Sequence, residues 1–162
     1  VSTIQRRGRR WVGRVVSSTR RQAREAALQI LYLWEVGRAE PGASIEAYFG
    51  EHGPDASEDV VDFATTLVRG TVRAVDDLDA LIAQHSRHWR VDRLAIIDRL
   101  IIRMATWEIQ HDRETPPAVI INEALELTRR FSADEAVGFV NGMLDAIRKT
   151  IEAERSGASA PN

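Results

Sequence analysis

Cysteine is missing from this sequence of 162 residues. That excludes a disulfide framework and a thiolate metal site, and fits a reducing compartment. No apolar run approaches the roughly 20 residues that a membrane helix needs. The basic N-terminal stretch lacks the apolar segment of a secretory signal. Lysine is nearly absent, with 21 arginines to one lysine, a bias that by itself says nothing about a partner. No segment alternates with period two, and no repeat has solenoid length. The catalytic patterns are lacking too. There is no phosphate-binding loop, no GxGxxG after a strand, no GxSxG and no HExxH. The expectation is a soluble, cytoplasmic, non-enzymatic protein without a cofactor.

What is present is a charge asymmetry. Residues 1 to 24 carry eight arginines (Arg6, Arg7, Arg9, Arg10, Arg14, Arg20, Arg21 and Arg24) and no acid. The remaining 14 basic and 24 acidic residues leave the rest of the chain at −10. A basic segment on an acidic body points to an anionic partner, most often nucleic acid, although it also fits a solvated tail.

The apolar spacing is helical throughout. Residues 1 to 17 have no sustained period and read as a flexible basic arm. From Thr19, the stretch TRRQAREAALQILYLWEVGR places Ala23, Ala27, Ile30 or Leu31, and Trp34 on one face, with Ser18 or Thr19 as the N-cap and Gly37 as the stop. Arg20, Arg21 and Arg24 would then occupy its first turns, against the helix dipole. Ser44 reads as the cap of a short helix, and Ser57 as the cap of SEDVVDFATTLVRGTVRAV. Asp76 and Asp77 open the next helix, with Asp79 completing an acidic run of structural character. DRLAIIDRLIIRMATWEIQH is apolar over a wide arc and reads as the central, most buried helix. Thr115 and Pro116 open TPPAVIINEALELTRRF. Ser132 and Glu135, in capping-box spacing, open the last helix, and residues 156–162 read as a disordered tail. The fold class is all-α, about seven helices in two packed subdomains.

Asn141-Gly142, in FVNGMLD, is a hairpin signal, yet Phe139, Met143, Ile147 and Ile151 run through it at period four. The helix reading therefore prevails. Gly138 and Gly142 each cost about 1 kcal/mol relative to alanine there. Close helix packing, or a surface that receives RNA or protein, would account for them. His85 and His88 have a spacing that two metal ligands can use, but lack a third ligand and read more readily as surface or groove residues. Trp34 and Trp107 lie on apolar faces, whereas Trp11 in the basic arm is placed to stack on a base.

Three ordered segments, RRQAREAALQILYLWE, DRLAIIDRLIIRMATWEI and VIINEALELTRRFS followed by FVNGMLD, resemble the NusB family of bacterial transcription antitermination factors. The resemblance covers about residues 18 to 150, and the domain is placed at 18–155. It implies binding of the boxA element of nascent ribosomal RNA together with NusE, a ribosomal protein, on elongating RNA polymerase with other Nus factors. Premature Rho-dependent termination would thereby be suppressed. It also implies roles for individual residues. Arg20, Arg21 and Arg24 match the family's arginine-rich RNA motif, with His85, Arg99 and Phe139 as further RNA candidates. Tyr32, Asp98 and Glu135 are candidates for the NusE surface. A self-inhibiting homodimer is a further state that the family allows. Two other readings compete. One is the RNA-binding portion of an rRNA cytosine methyltransferase, which would need an α/β cofactor domain that this sequence has no room for. The other is a helical protein-binding adaptor without specific RNA recognition.

Overall fold

Apolar residues that recur every three or four positions can be buried together only along helix stripes. The computed structural model accordingly is helical in nearly all the residues it describes, 2–86 and 90–158, with side chains from residue 19 onward. Seven α-helices occur among the described residues: α1 (Ser2–Gly37), α2 (Pro41–His52), α3 (Glu58–Arg73), α4 (Val75–His85), α5 (Ile96–His111), α6 (Pro117–Phe131) and α7 (Ala136–Ala158). A 3-10 turn covers Val91–Arg93, and no strand is present among these residues. None of the described helices is long and apolar enough to cross a membrane. His88, Trp89 and the last four positions of the expected tail lie outside the described residues, as does the side chain of Trp11.

The chain divides into two compact units, Val1–Thr66 and Leu67–Asn162, with the boundary inside α3. In the first unit α1 packs on α2. Ala23, Ala26, Ala27, Ile30 and Leu31 of α1 are buried, as are Ile45 of α2 and Val60 and Ala64 of α3. Small alanines on one stripe of α1 let a neighbouring backbone approach closely. Where an arm was expected over residues 1 to 17, α1 runs back to Ser2. No proline interrupts that stretch, and extending a helix costs far less than nucleating one. The extension also removes the expected conflict with the dipole. Arg20, Arg21 and Arg24 lie in mid-helix, whereas the dipole acts within the terminal turns. At the other end Arg38, not Gly37, takes the left-handed conformation, with φ 51°, and its N–H bonds to the Trp34 carbonyl at 2.9 Å.

The second unit is organised around α5, which packs against α4, α6 and α7. Leu100, Ile101, Ile102, Met104, Ala105 and Ile109 are all buried, so the helix is enclosed on most of its circumference. Each such Leu or Ile contributes about 1.5–3 kcal/mol by leaving water. The helix buries charged groups as well, Asp98, Arg99, Arg103 and Glu108, of which Arg103 reaches α4. The Arg103 Nε and Nη2 donate to Asp79 Oδ1 and Oδ2, both at 2.7 Å, a bidentate pair that ties α4 to α5. The acidic run at α4 is thus structural at its third member. Arg155 of α7 donates to the carbonyls of Ile109 and Gln110 at 2.7 and 2.9 Å, so a cation satisfies the end of α5.

Several helix ends differ from expectation. Pro41 opens α2, which leaves Ser44 inside the helix and buried. Pro116 is the N-cap of α6 and Pro117 its first residue. Thr115 instead donates its hydroxyl to Asp112 Oδ2 at 2.6 Å, and Asp112 Oδ1 accepts the N–H groups of Glu114 and Thr115. This Asp turn bends the chain between α5 and α6. Ser132 does not cap α7 either; α7 starts at Ala136, and the Ser132 hydroxyl is engaged elsewhere. Ser57 does cap α3, accepting the Val60 N–H at 3.4 Å. The last helix continues to Ala158, into the segment expected as tail.

Candidate nucleic-acid interface

On α1 of the first unit, Arg20 and Arg24 stand one turn apart and share a support. Their guanidinium carbons lie 4.6 and 5.5 Å from the centroid of the Phe63 ring on α3. Both distances fall within cation–π range. Arg24 is only 4% exposed, so it has little surface left for a phosphate. Arg20 is half-buried and Arg21 is exposed, which makes these two the accessible cations of the cluster. Beyond them, Tyr32, Leu33 and Val36 are exposed on the same helix. Tyr32 is 12 residues from Arg20, about 18 Å along the axis. The two features are separate stations on one rod.

A groove of about 280 Å³ lies along the first unit, lined by Gln22, Glu25 and Gln29 of α1 and by Tyr48, Phe49 and His52 of α2, among others. Tyr48 stacks on His52 at 5.3 Å. Burial, and then the carboxylate of Glu25, push the Tyr48 hydroxyl above its ordinary pKa.

In the second unit the candidates gather in two places. Asp98, in the first turn of α5, is buried and accepts a 2.6 Å hydrogen bond from the Ser132 hydroxyl. A carboxylate is favoured at a helix N-terminus. Here it also fixes the end of α6, a few residues before Glu135 and Phe139. Arg99 is buried beside it and donates from Nη1 to the Val91 carbonyl at 3.4 Å. Glu135 is exposed and Phe139 half-buried. His85 stands apart from this group, with its Nε2 2.9 Å from Thr150 Oγ1. Thr150 is 11 residues beyond Phe139 on α7, about 16 Å along the helix. His85 is thus held at the opposite stretch of α7 from Phe139.

Gly138 and Gly142 are exposed, and a Cβ at either position would meet nothing within 4 Å. Close packing of the described chain therefore does not account for them. Gly70 is the contrary case. A Cβ there would fall 2.1 Å from two Trp107 ring atoms, and Trp107 in turn stacks on His111 at 4.3 Å. Trp34 and Trp107 are half-buried. Two features escaped sequence reasoning. Phe63 is one apolar residue in an ordinary stripe of α3, and only the fold shows that it faces two arginines. The Ser132–Asp98 bond joins residues 34 apart in sequence, and Ser132 carried a plausible local role as a cap.

Residues 21–149 match the model of the NusB family. The transcription antitermination protein NusB of Solibacter usitatus is 42% identical over 132 residues, covering 82% of this chain and 90% of that protein. NusB of Koribacter versatilis is 39% identical over 145 residues, covering 90% and 99%. Among solved structures, NusB of T. maritima superposes with a TM-score of 0.75 at 29% identity, covering 80% of this chain and 90% of that one. A structure of antitermination factors NusB and NusE in complex with dsRNA gives a TM-score of 0.75 at 27% identity, covering 82% and 98%.

Proposed function

The chain belongs to the NusB family of transcription antitermination factors, and from that premise we propose that it binds boxA-type single-stranded RNA of nascent ribosomal transcripts together with NusE. The assembly acts in the cytoplasm on elongating RNA polymerase with other Nus factors and suppresses premature Rho-dependent termination. The function is recognition without catalysis, and it needs no cofactor. The observation that carries this reading is the arginine cluster on α1, with Arg20 and Arg21 accessible and Arg20 seated over Phe63. A structure containing NusB, NusE and RNA, similar in fold to this chain, supports the choice of partners.

In this reading Arg20 and Arg21 neutralise phosphates, with Arg24 supporting them from its buried position. Phe139 stacks on an unstacked base, Arg99 and His85 extend the RNA surface, and Tyr32, Asp98 and Glu135 face NusE. Affinity gained from arginine–phosphate contacts is salt-dependent, while aromatic faces read single-stranded bases. The basic stretch before residue 18 adds affinity without sequence preference.

A boxA gel shift with and without purified NusE, at two salt concentrations, tests the proposal. Replacing Arg20, Arg21 and Arg24 with alanine is expected to weaken binding and to flatten the salt slope by roughly 0.7 per lost phosphate contact. An unchanged slope would remove the arginines from the interface. Deleting residues 1–17 should weaken boxA and scrambled RNA alike, and a mass measurement in solution reports a homodimer directly. The exposed strip Tyr32, Leu33 and Val36 favours a protein surface on α1. Absence of any RNA shift, with NusE or without it, would leave the protein-binding adaptor as the better reading.

A further inference from the structure

We propose that Phe63 is a positioning residue for RNA binding, an aromatic platform that holds Arg20 in its binding conformation; the inference rests on the RNA-binding reading above. Two cations one helical turn apart repel each other, and an arginine side chain has many rotamers. Both guanidinium carbons nevertheless lie over one ring, at 4.6 and 5.5 Å. The negative face of the ring offsets part of the repulsion between them. Arg24 is buried beneath, at 4% exposure, whereas Arg20 keeps solvent access. A guanidinium seated by its face directs the N–H groups along its edge, in the guanidinium plane, where phosphate oxygens can approach. Because Arg20 is ordered before RNA arrives, binding does not have to order it. Leucine at position 63 would fill similar space but offers no π face.

The loss expected on removing the ring is that of immobilising one rotamer-rich side chain on binding, about two- to ten-fold in affinity. Phe63→Leu should therefore weaken binding of the boxA oligonucleotide by that factor and leave the salt slope unchanged, since every charge is still present. Phe63→Trp keeps a π face and should bind like the wild type. In an Arg20→Ala background, Phe63→Leu should cost nothing further. Thermal unfolding of each variant establishes that the domain is folded at the assay temperature. Wild-type affinity in Phe63→Leu would overturn the proposal. So would an equal loss in the presence and absence of Arg20, which would make Phe63 merely structural. If the wild type binds no RNA, the function proposed above fails and this role fails with it. If the wild type binds and Phe63→Leu binds equally well, only the platform fails.

Discussion

The same substitution should have opposite signs at two helix-interior glycines, Gly70 of α3 and Gly142 of α7. Replacing glycine by alanine inside a helix gains about 1 kcal/mol in intrinsic propensity. At position 142 nothing opposes that gain, because a Cβ meets no atom within 4 Å. At position 70 the Cβ would lie 2.1 Å from Trp107 Cε2 and Cζ2 and 2.7 Å from Nε1. Ordinary carbon contacts begin near 3.5 Å, so the indole must move by more than an ångström. Its ring is stacked on His111 at 4.3 Å, and the His111 ring is itself anchored, with Nδ1 2.8 Å from the Trp107 backbone carbonyl. Overpacking costs typically 1–3 kcal/mol, and a lost aromatic stack adds about 0.5–1.5 kcal/mol. After the propensity gain is subtracted, Gly70→Ala should destabilise by about 2 kcal/mol.

For a chain of this length 1 kcal/mol moves the melting temperature by about 2–4 °C. Gly70→Ala should therefore melt about 4–8 °C below the wild type, and Gly142→Ala about 2–4 °C above it. Thermal unfolding followed by far-UV circular dichroism, with urea unfolding as a check, measures both. In a Trp107→Leu background the penalty at position 70 should vanish. The reasoning is refuted if Gly70→Ala is as stable as the wild type, or if Gly142→Ala is destabilised in the absence of any partner.

Three other perturbations have expected outcomes. Asp79→Ala leaves Arg103 buried without its bidentate carboxylate. Breaking a fully buried pair costs about 3–5 kcal/mol; because the Asp79 side chain is 32% exposed, a loss of about 2–3 kcal/mol is expected in urea unfolding, and Asp79→Leu with Arg103→Met should recover much of it. Arg38→Gly relieves a left-handed backbone at φ 51° and should stabilise by about 0.5–1 kcal/mol, the conformational cost exceeding the extra entropy of the unfolded glycine; a less stable variant would mean that the Arg38 side chain matters more than its backbone. The Asp145 carboxyl is held below its ordinary value of 3.8 by hydrogen bonds from Arg148 and then Lys149. A depressed carboxyl contributes stability that is complete above its unfolded pKa and is lost as pH falls through the lower folded value. Asp145→Asn should thus be less stable than the wild type at neutral pH, and the gap should close in acid below pH 3.8; a gap independent of pH would assign the effect to something other than the carboxylate.

Helical class, the number of helices and the central place of α5 are all readable from apolar spacing, because burial on one face imposes the 3.6 period regardless of neighbours. Helix ends were less legible. Ser57 caps α3 as its local context suggests. Ser132 has equally good capping credentials, yet its hydroxyl goes to Asp98, since a partly buried carboxylate competes better for that donor than a backbone N–H does. The start of α1 is illegible for a related reason, because an apolar stripe signals burial, whereas a helix whose nucleus exists can extend without one.

By itself, the sequence determined the periodicity, the charge asymmetry and the ordered segments that mark the family, all of them properties carried by residues near one another along the chain. Tertiary structure decided which residues share a neighbour. It set Phe63 beneath two arginines, Asp98 against Ser132, and Trp107 over Gly70, while leaving Gly142 in open space. Gly70 and Gly142 look alike in sequence, each an isolated glycine within a helical stripe. What separates them is the Trp107 indole, which fills the space a Cβ at position 70 would need while that space is open at position 142, and Trp107 lies 37 positions further along the chain than Gly70.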